Sequence, residues 1–250
     1  MTGHHGAPCW YELTSADQTA SQSFYGRVLG WGFADAGMEG FAYTLAMAGD
    51  QMVAGLMTPD APMPEFWMVY FAVDDCDAAC ARVGELGGHV HRPPEDIPGT
   101  GRFAIAADPQ GAVFGLLQPL DGQTGSAFDQ MKTGHGAWHE LLSPDPVAAF
   151  SFYAALLGWA KGDAMPMGDM GTYQLVRWQG TDIGGICPPE PGMPAHWLPY
   201  FSVAGIDAAI VQIRENGGTI LQDRMEVPGG VFIAIARDPQ GARFAVIGPA

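Results

Sequence analysis

Trp10-Tyr11-Glu12-Leu13 returns as Trp138-His139-Glu140-Leu141, and the stretch that follows carries Phe24-Tyr25 with Leu29-Gly30-Trp31 in one half and Phe152-Tyr153 with Leu157-Gly158-Trp159 in the other. Further on, Trp67 with Tyr70-Phe71 answers Trp197 with Tyr200-Phe201, and Asp108-Pro109-Gln110-Gly111 answers Asp238-Pro239-Gln240-Gly241. Partners lie 128 to 130 residues apart. That period is too long for a solenoid repeat and suits two tandem domains of one fold. The expected division is a first domain over 1–119, a linker over 120–132 rich in Gly, Gln, Ser and Thr, and a second domain over 133–250.

The composition is that of a folded chain. Of 250 residues, 48% are hydrophobic and 15% charged, enough for each half to bury a core. A formal charge of −16 with only 11 scattered basic residues argues against nucleic acid or an anionic membrane as partner, since both select clustered Lys and Arg. The first residues show neither a basic nor an apolar leader segment and no apolar run approaches a membrane span, so the expected address is the cytoplasm. Four cysteines make no disulfide framework in a chain this long. Cys76 and Cys80 lie four apart on an expected helix, where the other half has Ile206 and Ile210, and read as buried thiols.

Each half reads in the same order. An alternating strand puts Trp10, Glu12 and Thr14 on one face, and Asp17 opens a helix that ends at Gly30. Strands are expected around Phe41–Ala46, Gln51–Met57 and Phe66–Val73, then a helix from about Asp75 to Leu86. Strands around His89–Arg92, Phe103–Ala107 and Val113–Gln118 follow, the last two joined by the Asp-Pro-Gln-Gly turn. The implied unit is strand, helix, three strands, four times along the chain.

This order, with the Phe-Tyr…Leu-Gly-Trp helix and the Asp-Pro-x-Gly hairpin, resembles the vicinal oxygen chelate superfamily of glyoxalases, extradiol dioxygenases, fosfomycin-resistance and bleomycin-resistance proteins. It is most similar to two-domain actinobacterial members of glyoxalase-like or hydroxylase designation. The resemblance implies an α+β fold, a tandem duplication in which each domain consists of two βαβββ modules curled into a half-barrel around a pocket. It also implies three metal-ligand positions per domain. They fall here on Trp10, Met68 and Gly115, and on Trp138, Leu198 and Ala245. None of these is a His, Gln or Glu, so the expectation is that neither domain chelates a metal there and that no cofactor is used.

Other residues then become candidates for chemistry. Glu12 and Glu140 recur, each sharing a strand face with a tryptophan, and a carboxylate held in an apolar cavity is suited to proton transfer. The alternative is that both satisfy Tyr hydroxyl or backbone donors in the barrel wall. His196 stands where the first half has Phe66, and in the superfamily fold it would approach Glu140, making an acid/base pair in the second domain alone. His139 has the opposite strand parity and reads as a packed histidine. His89 and His91 have a spacing that can bind metal, but the matching strand has Thr219 and Leu221 and no third ligand is in sight, which favours a plain surface role. Arg102 and Arg177 are candidates to hold a polar ligand edge. The methionines, among them Met38, Met52, Met63 and Met68, suit an irregular apolar cavity or ordinary core filling.

The expected pocket set is therefore Trp10, Met68, Tyr70, Trp138, Leu198 and Tyr200 for ligand binding, with Glu140, His196 and Glu12 as catalytic candidates. The leading expectation is a metal-independent protein that binds or sequesters an apolar or aromatic small molecule, as a monomer or weak homodimer. One alternative is a cofactor-free acid/base enzyme, an isomerase, lyase or cyclase, using Glu140 with His196. A further alternative is a metal-dependent dioxygenase or lyase with rearranged ligands.

Overall fold

Asp17 and Asp145 start the first helix of each half in the same way. The Asp17 carboxylate accepts the Ala20 N–H, and that of Asp145 accepts the N–H groups of Val147 and Ala148, supplying partners that the first helical turn lacks. Gly30 and Gly158 end these helices in the left-handed conformation, with φ of 71° and 73°. The computed structural model describes residues 3–38, 40–61, 63–120, 122, 124–168 and 171–250. Asp121 and Gln123 of the expected linker lie outside the described residues.

The first half contains β1 (Pro8–Thr14), α1 (Gln18–Leu29), β2 (Gly32–Asp35), β3 (Tyr43–Ala48) and β4 (Gln51–Met57). A second module follows, with β5 (Phe66–Ala72), α2 (Cys76–Glu85), β6 (His89–Ile97), β7 (Gly101–Ala107) and β8 (Val113–Pro119). The second half repeats both modules. Its first has β9 (Gly136–Leu142), α3 (Pro146–Leu157), β10 (Ala160–Pro166), β11 (Thr172–Trp178) and β12 (Thr181–Cys187). Its second has β13 (His196–Ser202), α4 (Ile206–Glu215), β14 (Thr219–Val227), β15 (Val231–Arg237) and β16 (Arg243–Gly248). The fold is thus an α+β tandem duplication of βαβββ modules. Among the described residues, no helix is long and apolar enough to cross a membrane.

Each half makes one eight-stranded sheet, in the orders β2-β3-β4-β1-β5-β8-β7-β6 and β10-β11-β12-β9-β13-β16-β15-β14. Within a module the first strand pairs parallel with the last, as in β1 with β4 and β9 with β12, and the remaining neighbours are antiparallel. The helix provides the crossover that a parallel pair requires.

Two strands differ from their sequence-based bounds. No segment was assigned to β2, whose four residues are mostly exposed and carry no apolar alternation. Tertiary pairing with β3 makes it a strand. β6 was expected to stop at Arg92 but runs through Pro93 and Pro94 to Ile97. It is the last strand of its sheet, where a missing N–H faces no neighbour, and its register shifts between Arg92 and Glu95 absorb the prolines.

The compact packing units draw on both halves of the sequence. One comprises Met1–Cys9, Val69–Thr124 and His139–Trp197, the other Trp10–Met68, Gly125–Trp138 and Leu198–Ala250. In the first, Phe71 packs edge-on against Trp159 and Trp197 with centroids 5.0 and 5.2 Å apart. In the second, Phe201 does the same with Trp31 and Trp67 at 5.2 and 5.0 Å. Such pairs contribute about 0.5–1.5 kcal/mol each beyond their area burial. The repeated Trp, Tyr and Phe motifs are therefore core residues of the two units. Ala127 is 1% exposed, and the Trp31 indole donates to the Gly134 carbonyl at 2.7 Å. Ala127 of the expected linker is therefore packed rather than free, and Gly134 lies just beyond that linker.

Candidate functional site

In the second packing unit, β1 and β4 run side by side with Glu12 opposite Gly55. Tyr43 of β3 lies flat over that glycine: a Cβ built on Gly55 would meet the Tyr43 hydroxyl at 1.9 Å. The vacancy lets Tyr43 Oη reach across and donate to Glu12 Oε2 at 2.8 Å, while Trp10 Nε1 donates to the same hydroxyl at 2.9 Å. Glu12 is 7% exposed, and Phe41 stacks on the Tyr43 ring. Burial, and then the Glu12 charge, push the Tyr43 hydroxyl well above its usual range, so it stays a proton donor.

The first packing unit repeats the arrangement. Glu140 of β9 stands opposite Gly185 of β12, and the ring of Tyr173 on β11 occupies the place of the missing side chain, 2.0 Å from a built Cβ. Tyr173 Oη donates to Glu140 Oε2 at 3.1 Å. The Cys187 thiol is pushed up by burial and secondarily by the Glu140 charge. Both glutamates thus accept a tyrosine hydroxyl, one of the two roles open to them from sequence. Tyr43 and Tyr173 were missed there, although they recur at the same period as Gly55 and Gly185. Their distance in sequence from the glutamates, 31 and 33 residues, hides the link.

His196 begins β13 and is half-buried. A carbonyl can only accept, so the 2.9 Å contact of His196 Nδ1 with the Pro194 oxygen places a proton on Nδ1 and leaves Nε2 as the basic nitrogen of the neutral ring. His139 is buried as expected, with Nδ1 donating to the Ile183 carbonyl at 2.8 Å. Burial drives its pKa down to about 4.

The remaining site candidates divide by exposure. Trp10 and Trp138 are half-buried, whereas Met68, Tyr70, Leu198 and Tyr200 are buried at 1–4% exposure. Met38, Met52 and Met63 are exposed. Arg102 is engaged by Asp77 and Asp96 at 2.7 and 2.8 Å, and Arg177 by Asp182 at 2.6 Å. These carboxylates hold the guanidinium groups in place, the Asp182 pair engaging Nε and Nη2 of Arg177.

The positions that the resemblance assigns to metal ligands hold no His, Gln or Glu. The Trp10 indole is occupied with Tyr43, Met68 and Leu198 are buried side chains, and Ala245 is fully buried. The space beside Gly115 is filled by the Tyr70 ring, 2.1 Å from a built Cβ, so a longer side chain at 115 would require Tyr70 to move. Among the described residues, no group of three or more His, Cys, Asp or Glu converges elsewhere.

The profile of the Glyoxalase/Bleomycin resistance protein/Dioxygenase superfamily matches residues 9–116. CFP32 of Mycobacterium tuberculosis, which carries a provisional glyoxylase name, is 36% identical over 98% of this chain and 95% of its own length. The chain belongs to the Glyoxalase/Bleomycin resistance protein/Dioxygenase superfamily. A second superfamily relative, the anthracycline biosynthesis protein DnrV of Streptomyces peucetius, is 33% identical over 97% of this chain and 93% of its own length. Among solved structures, the Mn(II)-bound glyoxalase from Novosphingobium aromaticivorans superposes with a TM-score of 0.67 at 18% identity. The match covers 98% of this chain and 82% of that one, and at that identity it shows a shared fold alone.

Proposed function

We propose that this superfamily member binds an apolar or aromatic small molecule without the metal chelate of its enzymatic relatives. The proposed contact residues are the half-buried Trp10 and Trp138; Met68, Tyr70, Leu198 and Tyr200, buried at 1–4% exposure, would have to open to join them. The observation that carries this reading is the Trp10–Tyr43–Glu12 hydrogen-bond chain. It offers a half-buried indole and a stacked Phe41–Tyr43 pair beside one fixed carboxylate, a few polar groups set among aromatic surface. DnrV, named for anthracycline biosynthesis, adds planar polycyclic aromatics to the ligand class worth testing.

The test is a tryptophan-fluorescence titration with an anthraquinone, with and without added Mn(II), Zn(II) or Fe(II). Saturable quenching independent of metal is the expected result. Trp10→Ala or Trp138→Ala should weaken binding at least tenfold, about 1.4 kcal/mol. No quenching up to the solubility limit, or binding that appears only with metal, would overturn the reading.

A second reading is favoured by the His196 tautomer, which leaves Nε2 basic. Here the chain is a cofactor-free acid/base enzyme in which Glu140 and His196, or Glu12 in the other unit, transfer protons on the bound molecule. Glu140→Gln and His196→Phe would then cut turnover of the identified ligand by about 10²–10⁴ while leaving its Kd within threefold. Equal turnover in all variants would leave binding alone.

A further inference from the structure

β6 is the outermost strand of its sheet, and His89 and His91 both project from it into solvent. Their ring centroids are 4.9 Å apart with planes inclined by 74°. The register shift between Val90 and Arg92 makes His91 the extra residue of a bulge, a device that re-aims a side chain. The matching shift in β14 carries Thr219 and Leu221 instead, so the bulge belongs to the fold and the imidazoles only to this half.

We infer that His89 and His91 form a surface site for a first-row divalent transition-metal ion, best filled by Cu(II). A metal-bound imidazole nitrogen sits about 2.0–2.1 Å from the ion and roughly 1.1 Å from its own ring centroid. Two imidazoles on one ion therefore place their centroids about 4.5 Å apart at a 90° angle and about 5.2 Å apart at the tetrahedral angle. The observed 4.9 Å falls between these, so the spacing of the two rings matches that of two imidazoles on one ion. Solvent on the outer side supplies the remaining ligands.

The adjacent cation does not oppose this. Arg92 is held by Glu95 at 2.7 Å and lies over the Phe103 ring at 4.7 Å. A formal charge of −16 on the chain draws cations towards it at low ionic strength. Imidazole donors and the Irving–Williams order together rank Cu(II) above Ni(II) and Zn(II), and exclude Ca(II) and Mg(II), which take oxygen ligands. The site shares no residue with the proposed ligand-binding set and stands or falls separately from it.

Equilibrium dialysis of the untagged chain against CuSO₄, with electron paramagnetic resonance of the bound ion, tests the inference. One Cu(II) per chain with nitrogen hyperfine coupling is expected. His89→Thr with His91→Leu copies the other half's strand, and His89→Gln with His91→Gln keeps the side chains polar. Both pairs should lose at least tenfold in affinity while circular dichroism stays unchanged. His4 and His5 are the competing imidazoles, and His4→Ala with His5→Ala should retain the ion. Copper kept by the β6 variants and lost with His4 and His5, or no bound copper at all, would overturn the site.

Discussion

Tyr25 donates its hydroxyl proton to Asp238 Oδ2 at 2.9 Å across 213 residues of chain. Tyr153 does the same to Asp108 Oδ2 at 3.3 Å. In each packing unit, the tyrosine of one half's Phe-Tyr motif therefore meets the aspartate of the other half's Asp-Pro-Gln-Gly turn. Asp238 Oδ1 meanwhile accepts the N–H groups of Gln240, Gly241 and Ala242, and the Trp67 indole donates to Tyr25 Oη at 2.8 Å. The two repeated motifs are thereby explained as the two sides of one buried hydrogen-bond network.

Removing that hydroxyl strands the Trp67 N–H, which is buried. Tyr25→Phe should cost about 1–3 kcal/mol, as should Tyr153→Phe, where Trp197 loses its partner. A Tm unchanged within a degree in both variants would show that the network is energetically idle.

His139 makes stability depend on pH. Its folded pKa of about 4 lies below the unfolded value of 6.5, so the unfolded chain binds the extra proton between them. The contribution is complete above pH 6.5 and is lost as pH falls towards 4, a span of roughly 3 kcal/mol. Burial pushes the Asp108 and Asp238 carboxyls up instead, so their contribution has the opposite sign and declines as pH rises through their folded values. Urea unfolding of the parent and His139→Gln from pH 4 to 7.5 should give a parent advantage that shrinks as pH falls from 6.5 towards 4. Parallel curves would refute the assignment.

Gly55→Ala and Gly185→Ala place a methyl group inside the Tyr43 and Tyr173 side chains. Each ring must swing out, breaking its bond to Glu12 or Glu140, at a cost of about 1–3 kcal/mol. Anthraquinone affinity should fall with Gly55→Ala by at least as much as with Trp10→Ala. Retained affinity would detach the Tyr43–Glu12 arrangement from binding.

The four cysteines are free and buried, yet they should not react alike. Burial raises Cys9 and Cys187, whereas a hydrogen bond from the Cys76 thiol favours the Cys80 thiolate. Mass mapping after brief alkylation should find Cys80 labelled first and Cys9 and Cys187 only after denaturation. Labelling of Cys9 as fast as Cys80 would contradict this.

Much of the fold was legible because its signals are local. The alternation of Trp10, Glu12 and Thr14, the Asp17 cap and the Gly30 terminus each act within a few residues. β2 was not legible, since Gly32–Asp35 become a strand only by pairing with β3. The prolines of β6 suggested an early stop that holds for a central strand but not for an edge. At the site, the period exposed Glu12 and Glu140 but not their tyrosines, because a hydrogen bond spanning three strands leaves no mark on spacing.

The sequence by itself determined the duplication, the helices and the strands of each module other than β2, since these rest on periodicity, capping and turn chemistry written into short segments, and its repeated motifs carried the resemblance to the family. Tertiary structure alone decided that Tyr25 meets Asp238 rather than Asp108, and that Tyr43 and Tyr173 lie over glycines to reach Glu12 and Glu140. It also decided that His89 and His91 stand close enough to share an ion. Those outcomes depend on which distant side chains compete for the same buried space or edge, and two halves that repeat the same motifs present each motif residue with more than one equivalent partner.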